Sequence, residues 1–452
     1  MLKKHETEDE GRSGVDLNSM TDELLLKIFD CVDFKTKHNS IPLVCQRWSV
    51  IANSNDLWDA VSVDPTDEFT VVGRLVNQSK VFQWCSRPLV RVKELKLSNI
   101  GLDCDDFTPV GMGALFGICN VGLVRLEIHA TRDLLMDLSS LLCLINIEHL
   151  SVSCIDPDPH NPFHGQDVQC ISGLRKLVSL TLDINLVLVP GDLTTLQKLT
   201  SFAVNGTGSI ALIMPDELSG LQSLERLTVK EPLWPEAPQV VYELTSLRSL
   251  HIEGQPQYSH NLGLSSGVTR MVGLEHLGIV AHRLQRAPEE IGEMSFLRDL
   301  DLSRNNFDER LPVNVMLPVM RLTRLESLNL SDCGFKRIPR VLSSLVSLHL
   351  LDLSGNPFVE ISDALCNMHN LRVLLLKSCG LESVPRALCN IPRLEHIDLS
   401  NNNITGVENV KELVLGEDLR SLVLRQDRWT PELVKAACNI ARIWGIRNPI
   451  VS

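Results

Sequence analysis

One nine-residue pattern recurs along this chain at a nearly constant interval, and it limits the folds that the chain can adopt. Residues 297–305 read Leu-x-x-Leu-x-Leu-x-x-Asn, and the pattern returns at residues 348–356 and, with one isoleucine, at residues 394–402. A fixed period predicts a molecule built by stacking one short unit on the next. The central apolar residues of four successive units lie 23 residues apart: Leu328, Leu351, Leu374 and Ile397.

Each unit predicts one short, half-buried strand. Leucines alternate with variable residues in its central part, which is the period-2 pattern of a strand with one buried face. Ile338-Pro339 and Val384-Pro385 follow later in their units. Proline cannot extend a strand and suits the start of a short helical turn. Stacked units would therefore form a parallel sheet, with the helical turns on the opposite, convex side.

By residue type and spacing, residues 92–426 resemble the leucine-rich-repeat superfamily. The resemblance implies an α/β solenoid of about 14 repeats, shaped as a horseshoe with its parallel β-sheet on the concave face. It also implies a structural role for the ninth position of each unit, where Cys333 and Cys379 replace asparagine. We follow the pattern through fourteen anchors: Leu95, Leu126, Leu150, Leu180, Phe202, Leu227, Leu250, Leu277, Leu300, Leu328, Leu351, Leu374, Ile397 and Leu422.

Composition narrows the classes of function. A chain of 452 residues is too long to fold around one ordinary hydrophobic core, but a solenoid avoids this limit because it grows in one dimension. The net charge of −13 argues against nucleic acid or an anionic membrane as partner. No apolar stretch of about 20 residues is present, and the charged first 13 residues do not form a secretory signal. The 13 cysteines lack paired spacing. We therefore expect a cytoplasmic or nuclear protein without disulfides or a zinc site.

Three blocks near the N-terminus form a second pattern. Residues 22–29 read Asp-Glu-Leu-Leu-Leu-Lys-Ile-Phe, residues 43–48 read Leu-Val-Cys-Gln-Arg-Trp, and Leu57-Trp58 follows. The first block places its apolar residues on one helix face, and its two acidic residues favour a helix N-terminus. A helical unit of about 40 residues cannot cover all its apolar surface, so we expect a protein partner.

In their order and spacing these blocks resemble an F-box. The resemblance implies a small all-α domain over residues 19–62, which docks on the Skp-type adaptor of a cullin ubiquitin ligase. It implies these adaptor-contacting residues: Met20, Leu24, Leu25, Ile28, Phe29, Val44, Cys45, Trp48, Leu57 and Trp58.

The flanking segments complete the predicted organisation. Residues 1–18 are polar and are expected to be disordered. Residues 63–91 are predicted to form a helical linker that caps the N-terminal end of the solenoid. Residues 427–452 are predicted to form a helical cap at the other end, with Thr430 as N-cap and Pro431 in the first turn.

The variable residues of the strands are the candidates for target binding, because they point away from the core. Acidic residues concentrate there between Asp299 and Asp398, which favours a basic segment as ligand but is also common in an average repeat. Val373 and Leu375 are unusual at such positions. The candidate substrate-binding residues are Asp299, Asp301, Asn329, Asp352, Val373, Leu375, Lys377, His396, Asp398 and Arg425.

No catalytic or cofactor motif is visible in the sequence. The cluster of Asp156, Asp158, His160, His164 and Asp167 lies among prolines in a long repeat interval and reads as a polar loop insertion rather than a metal site. We therefore expect a non-catalytic, cofactor-free receptor subunit of an SCF-type ubiquitin ligase. The alternative is a leucine-rich-repeat scaffold with no ubiquitin role, in which the N-terminal helices only cap the solenoid.

Overall fold

The computed structural model describes residues 20–30, 41–52, 60–63, 92–101, 109–158, 160–255, 261–307, 315–361, 363–405, 418–424 and 435. The predictions for the N-terminal tail, for most of the linker, for Leu57, Trp58 and Arg425, and for nearly all of the C-terminal cap lie outside these residues.

One parallel sheet organises the described part of the chain. The order of the strands in the sheet is their order in the sequence, and the sheet does not close on itself, so the fold is an open solenoid. The fifteen described strands are β1 (Ala60–Val63), β2 (Glu94–Ile100), β3 (Arg125–Ala130), β4 (His149–Cys154), β5 (Ser179–Asp183), β6 (Ser201–Asn205), β7 (Arg226–Lys230), β8 (Ser249–Glu253), β9 (His276–Val280), β10 (Asp299–Asp301), β11 (Ser327–Asn329), β12 (Leu350–Asp352), β13 (Val373–Leu375), β14 (His396–Asp398) and β15 (Ser421–Val423).

The predicted anchors are confirmed by the strand register. All fourteen pair with one another in a single line, from Leu95 opposite Leu126 to Ile397 opposite Leu422. Every anchor is buried, and in the strands from β2 to β15 other than β9 the residues on either side of the anchor are more exposed. The apolar side chains form one continuous core behind the sheet.

Short helices close the repeats on the other side of that core. Most are single 3₁₀ turns, and several begin directly after a proline, as Arg340–Ser344 does after Pro339. The described 3₁₀ helices are Ile41–Leu43, Ser139–Cys143, Gly165–Gly173, Gly191–Thr195, Asp216–Gly220, Ser266–Arg270, Glu289–Glu293, Leu317–Arg321, Arg340–Ser344, Asp363–Asn367 and Arg386–Asn390. The described α-helices are α1 (Asp22–Asp30), α2 (Gln46–Ala52), α3 (Pro109–Cys119), α4 (Arg132–Leu135) and α5 (Gln239–Glu243).

The ninth position of the repeat joins neighbouring units. Asn356 is buried, and its Oδ1 accepts from the backbone N–H of Cys333 at 3.1 Å and of Phe335 at 3.0 Å, both in the preceding unit. Its Nδ2 donates to the carbonyls of Leu330 and Leu353, each at 2.8 Å. One side chain therefore satisfies four backbone groups that are remote from water.

The end of the F-box segment differs from the sequence prediction. The sequence predicts a helical domain up to residue 62, whereas Ala60–Val63 forms β1 and pairs in parallel with β2. Val61 lies opposite Leu95, so this strand extends the line of anchors by one position. The β-branched Val61 and Val63 favour a strand, and pairing covers an edge of the sheet that would otherwise be exposed.

Candidate functional site

Two surfaces of the described chain present exposed or half-buried apolar side chains. The first is formed by α1 and α2. The second is the face of the sheet that points away from the core, which we call the outer face of the sheet. We describe them separately because different chemistry dominates each.

The helical surface begins with a small core. Leu25 is 0 % exposed and Phe29 is 2 % exposed, and the Phe29 ring packs edge-on against Trp48 with 4.9 Å between ring centroids. The Arg47 guanidinium donates to Asp22 Oδ1 at 2.6 Å and to the Met20 carbonyl at 2.5 Å. These contacts fix α1 against α2. Leu25 and Phe29, two of the predicted contact residues, are therefore buried in this small core.

Four aliphatic side chains on or next to these helices are exposed, among charged residues such as Asp22 and Lys27. Leu24 is 49 % exposed and lies one helical turn before the exposed Ile28. Val44, 55 % exposed, precedes α2, and Val50 lies within it. We call Leu24, Ile28, Val44 and Val50 the helical apolar patch.

The predicted contact residues differ in their exposure. Leu24, Ile28, Val44 and the exposed Cys45 are predicted contact residues that lie at the surface, while Met20 and Trp48 are half-buried. Val50 is not among the predicted residues. Its position two residues after Trp48, on a helix whose buried member is Ile51, is the signal that could have identified it.

The outer face of the sheet changes character along the solenoid. In the first repeats its charges pair with each other, since Arg125 lies 3.3 Å from Glu94 and Lys96 lies 3.2 Å from Glu127. Strands β4 to β6 present mainly small hydroxyl side chains such as Ser151, which carry no charge. The N-terminal half of the face therefore offers little net charge to a ligand.

The last repeats carry acidic and apolar side chains side by side. Asp301, Asp352 and Asp398 occupy the same position in β10, β12 and β14, and Asn329 and Leu375 hold that position in the strands between. We call these three aspartates the aspartate row. Each accepts at Oδ1 from the backbone N–H two residues later, that of Ser303, Ser354 and Ser400 respectively.

An apolar strip adjoins the aspartate row and interrupts it at Leu375. It consists of Leu350, Val373 and Leu375, all half-buried, and Leu350 lies directly opposite Val373 in the register. Leu350 is not among the predicted site residues, although the doubled leucine at Leu350-Leu351 is a signal, because most repeats have a polar residue there. Lys377 is exposed beyond Leu375, and half-buried His396 follows Val373 on β14.

A shallow depression of about 300 Å³ opens at one end of the aspartate row. Asp299, Asp301, Asn329 and Asp352 line it, and Gly278 forms part of its floor. A Cβ at Gly278 would lie 2.2 Å from His251 Nδ1, so glycine is what lets that imidazole lie against the sheet. Asp299 is already engaged, because its Oδ2 lies 2.5 Å from His276 Nδ1.

The described residues show no cluster of three or more potential metal ligands. After β4, Asp158 accepts from the backbone N–H of His160 at 2.8 Å, and Asp167, in the first turn of the 3₁₀ helix Gly165–Gly173, accepts from that of His164 at 2.7 Å. Both carboxylates thus stabilise local turns. Within the described residues no helix is long and apolar enough to cross a membrane.

Comparisons with known proteins identify the two regions. A family model described as F-box domain matches residues 17–60, and one described as Leucine Rich Repeat matches residues 324–345, 347–368 and 393–412. The chain is therefore an F-box domain followed by leucine-rich repeats, as the sequence predicts. A solved leucine-rich-repeat protein of Leptospira interrogans shares the fold, with a TM-score of 0.52 and 18% identity, over 81% of this chain and 97% of that one.

Curated relatives match only through segments. The TMV resistance protein N of Nicotiana glutinosa is 31% identical over 169 residues, which is 37% of this chain and 14% of that protein. A volume-regulated anion channel subunit of Homo sapiens is 28% identical over 146 residues, which is 30% of this chain and 16% of that protein. The chain thus spans about one seventh of the length of these relatives.

Proposed function

We propose that this chain is the substrate-recognition subunit of an SCF-type ubiquitin ligase. The observation that carries the proposal is the helical apolar patch, which lies on the segment that matches the F-box domain and remains exposed beside a fully formed core. Burying such side chains against a partner stabilises a complex by about 25 cal/mol per Å² of apolar surface. The partner we propose is a Skp-type adaptor linked to a cullin core.

The role of the chain in this proposal is to position a target and not to perform covalent chemistry. The leucine-rich repeats would hold a target protein on the outer face of the sheet, while α1 and α2 hold the ligase core. Tethering converts the encounter between a target lysine and the charged conjugating enzyme into an effectively intramolecular one. A continuous core from β2 to β15 suits this role, because it holds the bound target at one distance and orientation. The proposed site of action is the cytoplasm or nucleus.

The test is co-purification of the full chain with a Skp-type adaptor. We expect the double variant Leu24→Asp/Val44→Asp to lose capture, because charges replace exposed apolar side chains without disturbing the core. The matched control is Val359→Asp, which charges a 76 % exposed valine in the repeats and should capture adaptor as wild type does. Failure of wild type to bind any Skp-type adaptor would leave the chain as a repeat scaffold without a ubiquitin role.

A further inference from the structure

The aspartate row has a regular spacing that selects among extended ligands. Its members lie two strands apart, and neighbouring strands are separated by about 4.8 Å, so the Cα atoms of successive members are about 9.6 Å apart across the sheet. A polyproline-II segment rises about 3.1 Å per residue and repeats its side-chain direction every third residue, which is about 9.3 Å. A β-strand repeats its direction after about 6.6 Å and does not match.

The carboxylates of the row remain available to a ligand. Each is oriented by one backbone hydrogen bond to Oδ1, at 2.8 to 2.9 Å. Within the described part of the chain no lysine, arginine or histidine side chain pairs with any of the three, in contrast to Asp299, whose Oδ2 lies 2.5 Å from His276 Nδ1. The row is therefore a set of pre-oriented anionic groups whose charge is not neutralised by the described chain.

The neighbouring groups determine where a ligand would lie. Leu350 and Val373 of the apolar strip flank the row on one side, and Leu375 lies within the row between two aspartates. Lys377 lies on the other side, two residues beyond Leu375. A cationic ligand is repelled by Lys377 and gains apolar contact over Leu350 and Val373. The depression of about 300 Å³ beside Asp301 and Asp352 gives room for one long side chain at the start of the row.

From this geometry we propose that the sheet face from β10 to β14 binds an extended, polyproline-II-like segment of the target protein with lysine or arginine at every third residue. Three cationic side chains meet Asp301, Asp352 and Asp398, and apolar residues between them contact the apolar strip. This inference rests on the proposed function, because it names the class of target segment that the repeats would present to the ligase.

The probe is a fluorescein-labelled peptide, Arg-Leu-Pro-Arg-Leu-Pro-Arg, and its binding to the full chain is measured by fluorescence anisotropy. The matched control peptide has the same composition in the order Arg-Arg-Arg-Leu-Pro-Leu-Pro, so the net charge is unchanged and the spacing is lost. We expect the spaced peptide to bind at least about fivefold more tightly than the control peptide, since only the spaced one can pair three carboxylates.

The sheet itself supplies a conservative way to remove the charges. Asn329 occupies the same position in β11, and its Oδ1 accepts from the backbone N–H of Ser331 at 3.0 Å, as the aspartates do from their serines. Asp352→Asn therefore keeps the turn and removes only the charge. We expect about two- to fivefold weaker binding of the spaced peptide to Asp352→Asn, and on the order of tenfold or more for the triple variant with Asp301→Asn and Asp398→Asn.

Two further variants complete the design. Asp216→Asn removes an exposed carboxylate from the helical side of the repeats and should leave binding unchanged, while Lys377→Gln should strengthen it about twofold. Equal binding of both peptides, or equal loss in Asp216→Asn and Asp352→Asn, would overturn the proposal in favour of general charge attraction. No binding of the spaced peptide would also overturn it. Adaptor capture by the same variants is measured in parallel, so failure of this inference is distinguished from failure of the proposed function.

Discussion

At the scale of single residues, asparagine and cysteine alternate at the ninth position of five successive repeats, of which the first starts at Leu297, and they make different hydrogen bonds. Asn305, Asn356 and Asn402 each accept two backbone N–H groups from the preceding unit and donate to carbonyls. Cys333 and Cys379 lie in the units between, and their thiols donate to the carbonyls of Leu302 at 3.1 Å and Leu353 at 3.4 Å. A thiol is a weak donor and acceptor, so the asparagines provide most of the hydrogen bonds to the buried backbone groups of the loops.

We expect Asn356→Ala to lower the free energy of unfolding by about 3 kcal/mol or more. The substitution removes the hydrogen bonds of Asn356 to four buried backbone groups. The Leu353 carbonyl keeps the weak Cys379 thiol as donor, and each of the other three groups costs about 1–3 kcal/mol when it is left without a partner. The control is Asn370→Ala, which removes two exposed hydrogen bonds, one donated to the Val346 carbonyl and one accepted from Arg393, and should cost less than about 1 kcal/mol. Urea unfolding followed by circular dichroism measures both. Similar losses in the two variants would contradict this role for the ninth position.

The thiols provide a second test at this scale. Burial raises the pKa of Cys333 to about 12 and that of Cys379 to about 11, so at pH 8 neither forms appreciable thiolate. Cys45 and Cys143 are exposed. We expect iodoacetamide at pH 8 to label Cys45 and Cys143 in the folded protein well before Cys333 and Cys379. Mass spectrometry of the labelled peptides measures this order, labelling in urea is the control, and equal rates in the folded protein would show the burial to be wrong.

At the scale of elements, the repeat strands could be predicted from sequence and the end of the F-box segment could not. The leucine anchors repeat so regularly that one period sets the register from Leu95 to Leu422. Val61 has no such periodic partner upstream, so its pairing with Leu95 depends on a tertiary contact that no local pattern encodes. The three aspartates of the aspartate row could be predicted from sequence as candidate site residues. Their spacing, and the position of Leu350 next to them, follow from strand order and register rather than from residue types.

The two short helices provide the element-scale prediction. Phe29→Ala removes a buried ring that packs on Trp48 and should lower the free energy of unfolding by about 3–5 kcal/mol. This loss exceeds the stability expected of so small a helical unit. Leu24→Ala changes an exposed side chain and should cost less than about 0.5 kcal/mol. We expect amide hydrogen exchange in α1 and α2 to lose protection in Phe29→Ala alone.

The repeats serve as the internal reference for that measurement. Stability in a solenoid is carried by neighbouring units, so the strands from β10 to β14 should keep their protection in both variants. Loss of protection in Leu24→Ala would instead mean that the helical apolar patch is part of the core, and it would remove the reason to regard it as a binding surface.

At the scale of the whole molecule, the two candidate surfaces lie on different parts of the chain and use different physics. The helical apolar patch has four exposed aliphatic side chains, and the sheet face from β10 to β14 has three uncompensated carboxylates beside an apolar strip. Apolar burial depends little on salt, whereas pairing of exposed charges is screened at high ionic strength. Binding at the two surfaces should therefore respond differently to salt and to substitution.

The measurement that tests the account most directly is adaptor capture and spaced-peptide binding in the same preparations of wild type, Leu24→Asp/Val44→Asp and the triple aspartate-to-asparagine variant. We predict that wild type binds both at once, that the first variant loses only the adaptor, and that the second loses only the peptide, with the peptide arm alone weakened by added salt. If a folded variant of one surface abolished binding at both, the division of the molecule into a ligase-docking end and a target-binding face would be wrong.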